Sequence, residues 1–125
     1  MYNYNLKFEG EYLNGEKNRK VKEYDYRNNG KLRFEGEYLY GKRHGKGKEY
    51  YDSGKLKFEG EYLYGRKLTG KGYNDSTDII YELKDGKGEI KEYYDNGKLE
   101  FEGEYLNGKR SGKGKEYNVY GQLIF

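Results

Sequence analysis

Across residues 56–62, Leu56, Phe58, Gly60 and Tyr62 alternate with Lys57, Glu59 and Glu61. This is the period of a β-strand with one packed face; a helix would scatter the same set around its axis. The pattern recurs as Phe-Glu-Gly-Glu-Tyr-Leu at Phe8–Leu13, Phe34–Leu39, Phe58–Leu63 and Phe101–Leu106, with Phe-to-Phe steps of 26, 24 and 43. A fixed period of this size identifies a repeat architecture before any single element is assigned. The long step holds a shortened copy, Tyr81-Glu82-Leu83 with Gly86 and Lys91-Glu92-Tyr93-Tyr94, and Phe125 falls 24 residues after Phe101. Five units follow, near 8–33, 34–57, 58–78, 79–100 and 101–125, in one domain spanning 1–125. The first is atypical, since Arg19 and Val21 stand where the second has Gly45 and Gly47, as expected of a solvent-facing cap.

Gly41, Gly54, Asp52-Ser53-Gly54 and Asp95-Asn96-Gly97 carry the composition of hairpin turns, so each unit reads as two short strands. Centring the second hairpin on Gly41-Lys42 sets Glu37 against Lys46, Glu35 against Lys48, Gly36 against Gly47 and Tyr38 against Gly45. The last unit then opposes Glu104 to Lys113 and Glu102 to Lys115, giving opposite-sign cross-strand pairs. A ring over an opposed glycine shields backbone that water would otherwise reach. One hairpin of some 24 residues buries too little to offset roughly 1–2 kcal/mol of backbone entropy per residue, so stability must come from stacking. The expected fold is all-β, an elongated single-layer antiparallel meander of about five two-stranded repeats.

Composition supports this. The chain has 125 residues, 38% of them charged, with 20 Gly, 18 Tyr and 5 Phe. Tyrosine supplies the packing area that sparse aliphatics do not. No apolar run approaches the length of a membrane-spanning helix. The absence of cysteine excludes disulfides and thiolate chemistry. Without an export signal at Met1–Asn5, a cytoplasmic location is the expectation.

Phe34-Glu35-Gly36-Glu37-Tyr38-Leu39-Tyr40-Gly41-Lys42-Arg43-His44-Gly45-Lys46-Gly47 resembles the MORN (membrane occupation and recognition nexus) repeat: an aromatic, glycine two later, a second aromatic, then spaced glycines. The chain is similar in particular to bacterial and protist proteins built of little else. The resemblance implies an aromatic-lined meander acting as a scaffold or binding module, with an antitoxin-like role beside a neighbouring protein or lipid binding as alternatives. It carries no kinase activity with it.

Enzymatic motifs fail on their surroundings. Gly36–Lys42 and Gly103–Lys109 mimic a phosphate-binding loop, but Arg43 and Arg110 replace the metal-binding hydroxyl and no helix follows. The Gly-x-Gly pairs at Gly45, Gly70, Gly86 and Gly112 lack the third glycine and the strand-to-helix setting of a dinucleotide site. Glu59/Glu61 and Glu102/Glu104 recur with the same neighbours, which marks a solvated charge ladder rather than an acid–base pair. His44 stands alone in a turn. Asn74–Asp78 gathers oxygen ligands in a longer connection but lacks the glycine and distal glutamate of a calcium loop.

The expected protein is non-catalytic, without cofactor or metal, and its partner is an unidentified protein or peptide; no nucleic acid is expected. Tyr12, Tyr38, Tyr62 and Tyr105 occupy equivalent positions and form the candidate interaction face, with a purely structural role as the plainer alternative. Lys42, Arg43, Arg66, Lys67, Lys109 and Arg110 form a candidate basic edge for anionic lipid. An open edge after the last unit would offer a route to a homodimer.

Overall fold

The computed structural model describes residues 6–13, 18–25 and 30–124, with side chains described for 20–25 and 30–124. Ten antiparallel strands run in chain order: β1 (Leu6–Leu13), β2 (Asn18–Asp25), β3 (Lys31–Leu39), β4 (Lys42–Tyr50), β5 (Leu56–Leu63), β6 (Arg66–Tyr73), β7 (Ile79–Leu83), β8 (Gly88–Tyr93), β9 (Leu99–Leu106) and β10 (Lys109–Glu116). The protein is all-β, and every described strand neighbours its sequence neighbour.

Two irregularities recur. At the hairpin tip the turn is Tyr40-Gly41, Tyr64-Gly65 or Asn107-Gly108, with both residues at positive φ. This handedness matches the twist of the flanking strands. Leu39 therefore faces Lys42 and Tyr38 faces Arg43, not Gly45 as the sequence suggested. A bulge opposite Glu37 then restores the expected pairs Glu35 with Lys48 and Gly36 with Gly47. In the last unit Glu102 faces Lys115 as expected, while Glu104 and Lys113 fall in the bulge. β1 and β2 pair without a shift, so Arg19 opposite Tyr12 corresponds to Arg43, correcting its alignment with Gly45.

The second irregularity precedes each core aromatic. The register shifts between Glu23 and Tyr24, Glu49 and Tyr50, and Glu92 and Tyr93, leaving Arg33, Lys57 and Glu100 as the extra residues before Phe34, Phe58 and Phe101. A bulge re-aims the side chain it carries.

Between units the chain turns through Tyr51–Gly54, Tyr94–Gly97 and Asn118–Gly121, each ending on a left-handed glycine. Asn74–Thr77 is the same turn, with Thr77 at φ 65 in the glycine place. It is not the longer connection expected from the sequence.

The core lies on one face. Phe34, Phe58 and Phe101 are almost wholly buried, joined by Tyr62, Tyr81, Leu83, Ile90 and Tyr105. The phenylalanines lie over a column of glycines: a Cβ on Gly47 would stand 2.6 Å from Phe34, and one on Gly114 would stand 2.7 Å from Phe101.

The hydrogen-bonded ladder is interrupted once. β1–β7 form one sheet and β8–β10 a second, joined across β7 and β8 only by the bridge of Lys84 with Lys87. Leu83 and Ile90 occupy the column positions that Gly60/Gly70 and Gly103/Gly114 fill elsewhere. Two bulky side chains replace a Gly–Gly pair there, and both are 2% exposed.

Candidate functional site

The inner face carries a ladder of charge across the units. Arg43 lies 4.0 Å over the Phe34 ring, Lys67 4.6 Å over Phe58 and Arg110 4.6 Å over Phe101. Each cation bridges carboxylates from different strands. Arg43 meets Glu23 at 3.0 Å and Glu49 at 2.6 Å. Lys67 meets Glu49 at 3.1 Å and Glu92 at 3.5 Å. Arg110 meets Glu92 at 2.9 Å and Glu100 at 3.2 Å. The run from Glu23 to Arg110 thus alternates in sign, and each cation has a ring beneath it and a carboxylate on either side.

The protonation preferences follow from this geometry. Burial opposes ionisation of Glu49, but Lys67, Arg43 and Lys57 overcome it and hold its pKa at about 2. Burial likewise opposes the charge on Lys67, and Glu49, Tyr81 and Glu92 raise its pKa well above the ordinary value. The Tyr81 hydroxyl is pushed up to about 12 by burial, against the lowering effect of Lys67.

This divides the predicted basic edge. Arg43, Lys67 and Arg110 turn inward and are consumed by the ladder, while Lys42, Arg66 and Lys109 are exposed. Alternation after a two-residue turn decides which is which, but the sequence register was displaced by one at the tip and concealed it.

The tyrosine row is also interior. Tyr62 and Tyr105 are buried, and Tyr62 meets Phe34 and Phe58 edge-on at 5.5 and 5.7 Å. Tyr38 donates its hydroxyl to Glu23 at 2.5 Å, and Tyr105 donates to Glu92 at 3.2 Å. The side chain of Tyr12 lies outside the described residues. The described members of the row hold core and ladder together, so they do not present a free face.

The surface that is presented lies at the hairpin tips. Tyr40 is 71% exposed and Tyr64 51%, beside exposed Leu63 and Leu106. Among the described residues there, Lys42, Arg66, Lys84, Lys87 and Lys109 are exposed, against one carboxylate, Asp85. Backbone bonds stack the tips: Gly65 N–H donates to Arg43 O at 2.7 Å, Gly86 N–H to Leu68 O at 2.6 Å and Gly108 N–H to Gly86 O at 3.0 Å. His44 belongs to this packing, its Nδ1 accepting the Tyr64 N–H at 3.2 Å while the rings stand 4.5 Å apart.

The outer face holds the Lys/Glu ladder, floored by Gly36, Gly47 and Gly60 in a trough of about 950 Å³. Glu59 and Glu102 stand 3.8 Å from Lys48 and Lys91 as exposed cross-strand pairs. At Asn74, the side-chain oxygen accepts the N–H groups of Ser76 and Asp78, so it serves the turn itself.

The MORN repeat model matches residues 34–55 and 101–119, and the MORN repeat variant model matches 87–107. No curated protein and no solved structure matches the chain.

Proposed function

Because this chain carries MORN repeats, which are generally protein- or membrane-interaction modules, we propose that it is a non-catalytic scaffold whose stacked hairpin tips bind an acidic protein surface or peptide. One observation carries the reading. Tyr40 and Tyr64 sit at φ 50 and 46, a left-handed conformation that a bulky side chain adopts at a cost, where the last unit has Asn107 at φ 54. Both rings are exposed, so the cost is not repaid by burial in the core. Large amphipathic rings beside exposed cations are the composition of a recognition surface.

The same tips favour a second reading, an anionic membrane surface, because Leu63 and Leu106 stand exposed among the cations. The charge-reversal variant Lys42→Glu/Arg66→Glu/Lys109→Glu tests both. Wild type should recover a partner in pull-downs that the variant loses, with its β circular dichroism unchanged. Flotation with vesicles of phosphatidylcholine and phosphatidylserine separates the two: salt-sensitive flotation lost in the variant identifies the membrane. Equal capture by variant and wild type would overturn the reading of the tips.

A further inference from the structure

We propose that the seam between β7 and β8 is an exchange point, through which two copies of the chain swap their β8–β10 sheets to form a dimer. Exchange requires that the hairpin joining the halves open and that their interface re-form between copies; at the seam the backbone ladder is weakest, and the interface is built of groups a second copy can supply. Among the described residues, the strand pairing across it is the single Lys84–Lys87 bridge, whose N–H groups donate to the opposite carbonyls at 2.9 and 3.0 Å. Every other boundary between consecutive described strands carries a ladder of four or more residue pairs.

What joins the halves beyond that bridge does not depend on chain continuity. Lys67 on β6 meets Glu92 on β8. Arg33 on β3 bonds Asp95, beyond β8, at 3.1 Å, and Asp95 also accepts the Asp52 N–H at 3.0 Å. Phe101, Tyr105 and Ile90 complete the core begun by Phe34, Phe58 and Tyr81. A second copy supplies each group in the same place.

The hinge is the two-residue turn Asp85-Gly86, with Asp85 at φ 53 and exposed. A hinge this short opens by changing the backbone of few residues, and such loops are where exchange between copies arises. The partner copy thereby contributes Glu92 and Asp95 to cation sites that one half alone leaves incomplete. The dimer also doubles the number of basic tips in one particle, which raises avidity for an extended anionic partner.

The test uses the full chain, sized by light scattering after concentration and after refolding at high concentration. Wild type should show a dimer that returns only slowly to monomer on dilution. Gly86→Val places a side chain at φ 78, where a Cβ would stand 2.7 Å from Gly108 N. It should raise the dimer-to-monomer ratio tenfold or more. In Lys84→Cys/Lys87→Cys, a hydrogen-bonded pair about 5.5 Å apart falls within disulfide reach. Oxidised as a monomer before concentration, this variant should lose the dimer, and reduction should restore it. If Gly86→Val does not fold, the locked pair decides alone. A locked variant that dimerises as well as its reduced form, or a wild type that stays monomeric under both treatments, overturns the exchange.

Discussion

Lys67 is the residue on which the two sheets converge. It has carboxylates on both sides and a ring beneath, so Lys67→Met leaves Glu49 and Glu92 facing each other with their shared cation gone. Breaking a buried pair that leaves its partner uncompensated costs about 3–5 kcal/mol; Glu49 keeps Arg43 and Glu92 keeps Arg110, so chemical denaturation should show a smaller loss than that. The tyrosine hydroxyls divide differently. The Tyr62 hydroxyl is buried and has no hydrogen-bond partner among the described residues, whereas that of Tyr105 reaches Glu92. Tyr62→Phe should therefore be neutral or stabilising, and Tyr105→Phe should cost about 1 kcal/mol or more. The difference in denaturation midpoints between these chemically identical changes measures the hydroxyl's surroundings.

At the scale of the hairpin, the tips hold exposed tyrosines in a left-handed conformation. Asparagine tolerates the left-handed region and is favoured in two-residue turns of this hand. Tyr40→Asn should thus stabilise the second hairpin by about 0.5–1 kcal/mol, in the range of conformational relief at such sites. If the tips recognise a partner, the same change should weaken capture. A rise in melting temperature together with lost binding is the expected outcome. The bulge opposite Glu37 has a structural use at the same scale. It returns the strands to the register that sets Gly47 beside Gly36 beneath the Phe34 ring.

For the whole molecule, the inner ladder predicts how stability follows pH. Glu49 has a folded pKa of about 2, below its ordinary 4.5. Its contribution is complete above pH 4.5 and is lost as pH falls towards 2. Denaturation midpoints measured across that window should decline, and Glu49→Gln should flatten the decline. The alkaline limb has the opposite origin. Burial raises Tyr51 and Tyr81 from 10 to about 12, so the stability they contribute is complete below pH 10 and lost as pH rises through 12. The last part of the phenolate absorbance to develop, that of the buried rings, should coincide with loss of the β signal, because these rings ionise readily only when the fold opens.

The division between what was written in the chain and what folding decided follows from range. The alternation of Leu56, Phe58, Gly60 and Tyr62 against charged neighbours is a local property, and it specified strands, their order and the packed face, since side chains of a strand can point only two ways. The glycine column was legible for the same reason, through the opposition of Gly36 and Gly47. The inward turn of Arg43, Lys67 and Arg110 was not, because the tips turn one residue earlier than the composition suggested and bulges, which no residue type announces, compensate downstream. Likewise, Leu83 and Ile90 look unremarkable one at a time. Only the strand pairing puts them in the column places that glycines fill elsewhere, on either side of the boundary where the ladder breaks, because that placement arises between strands and not within either one.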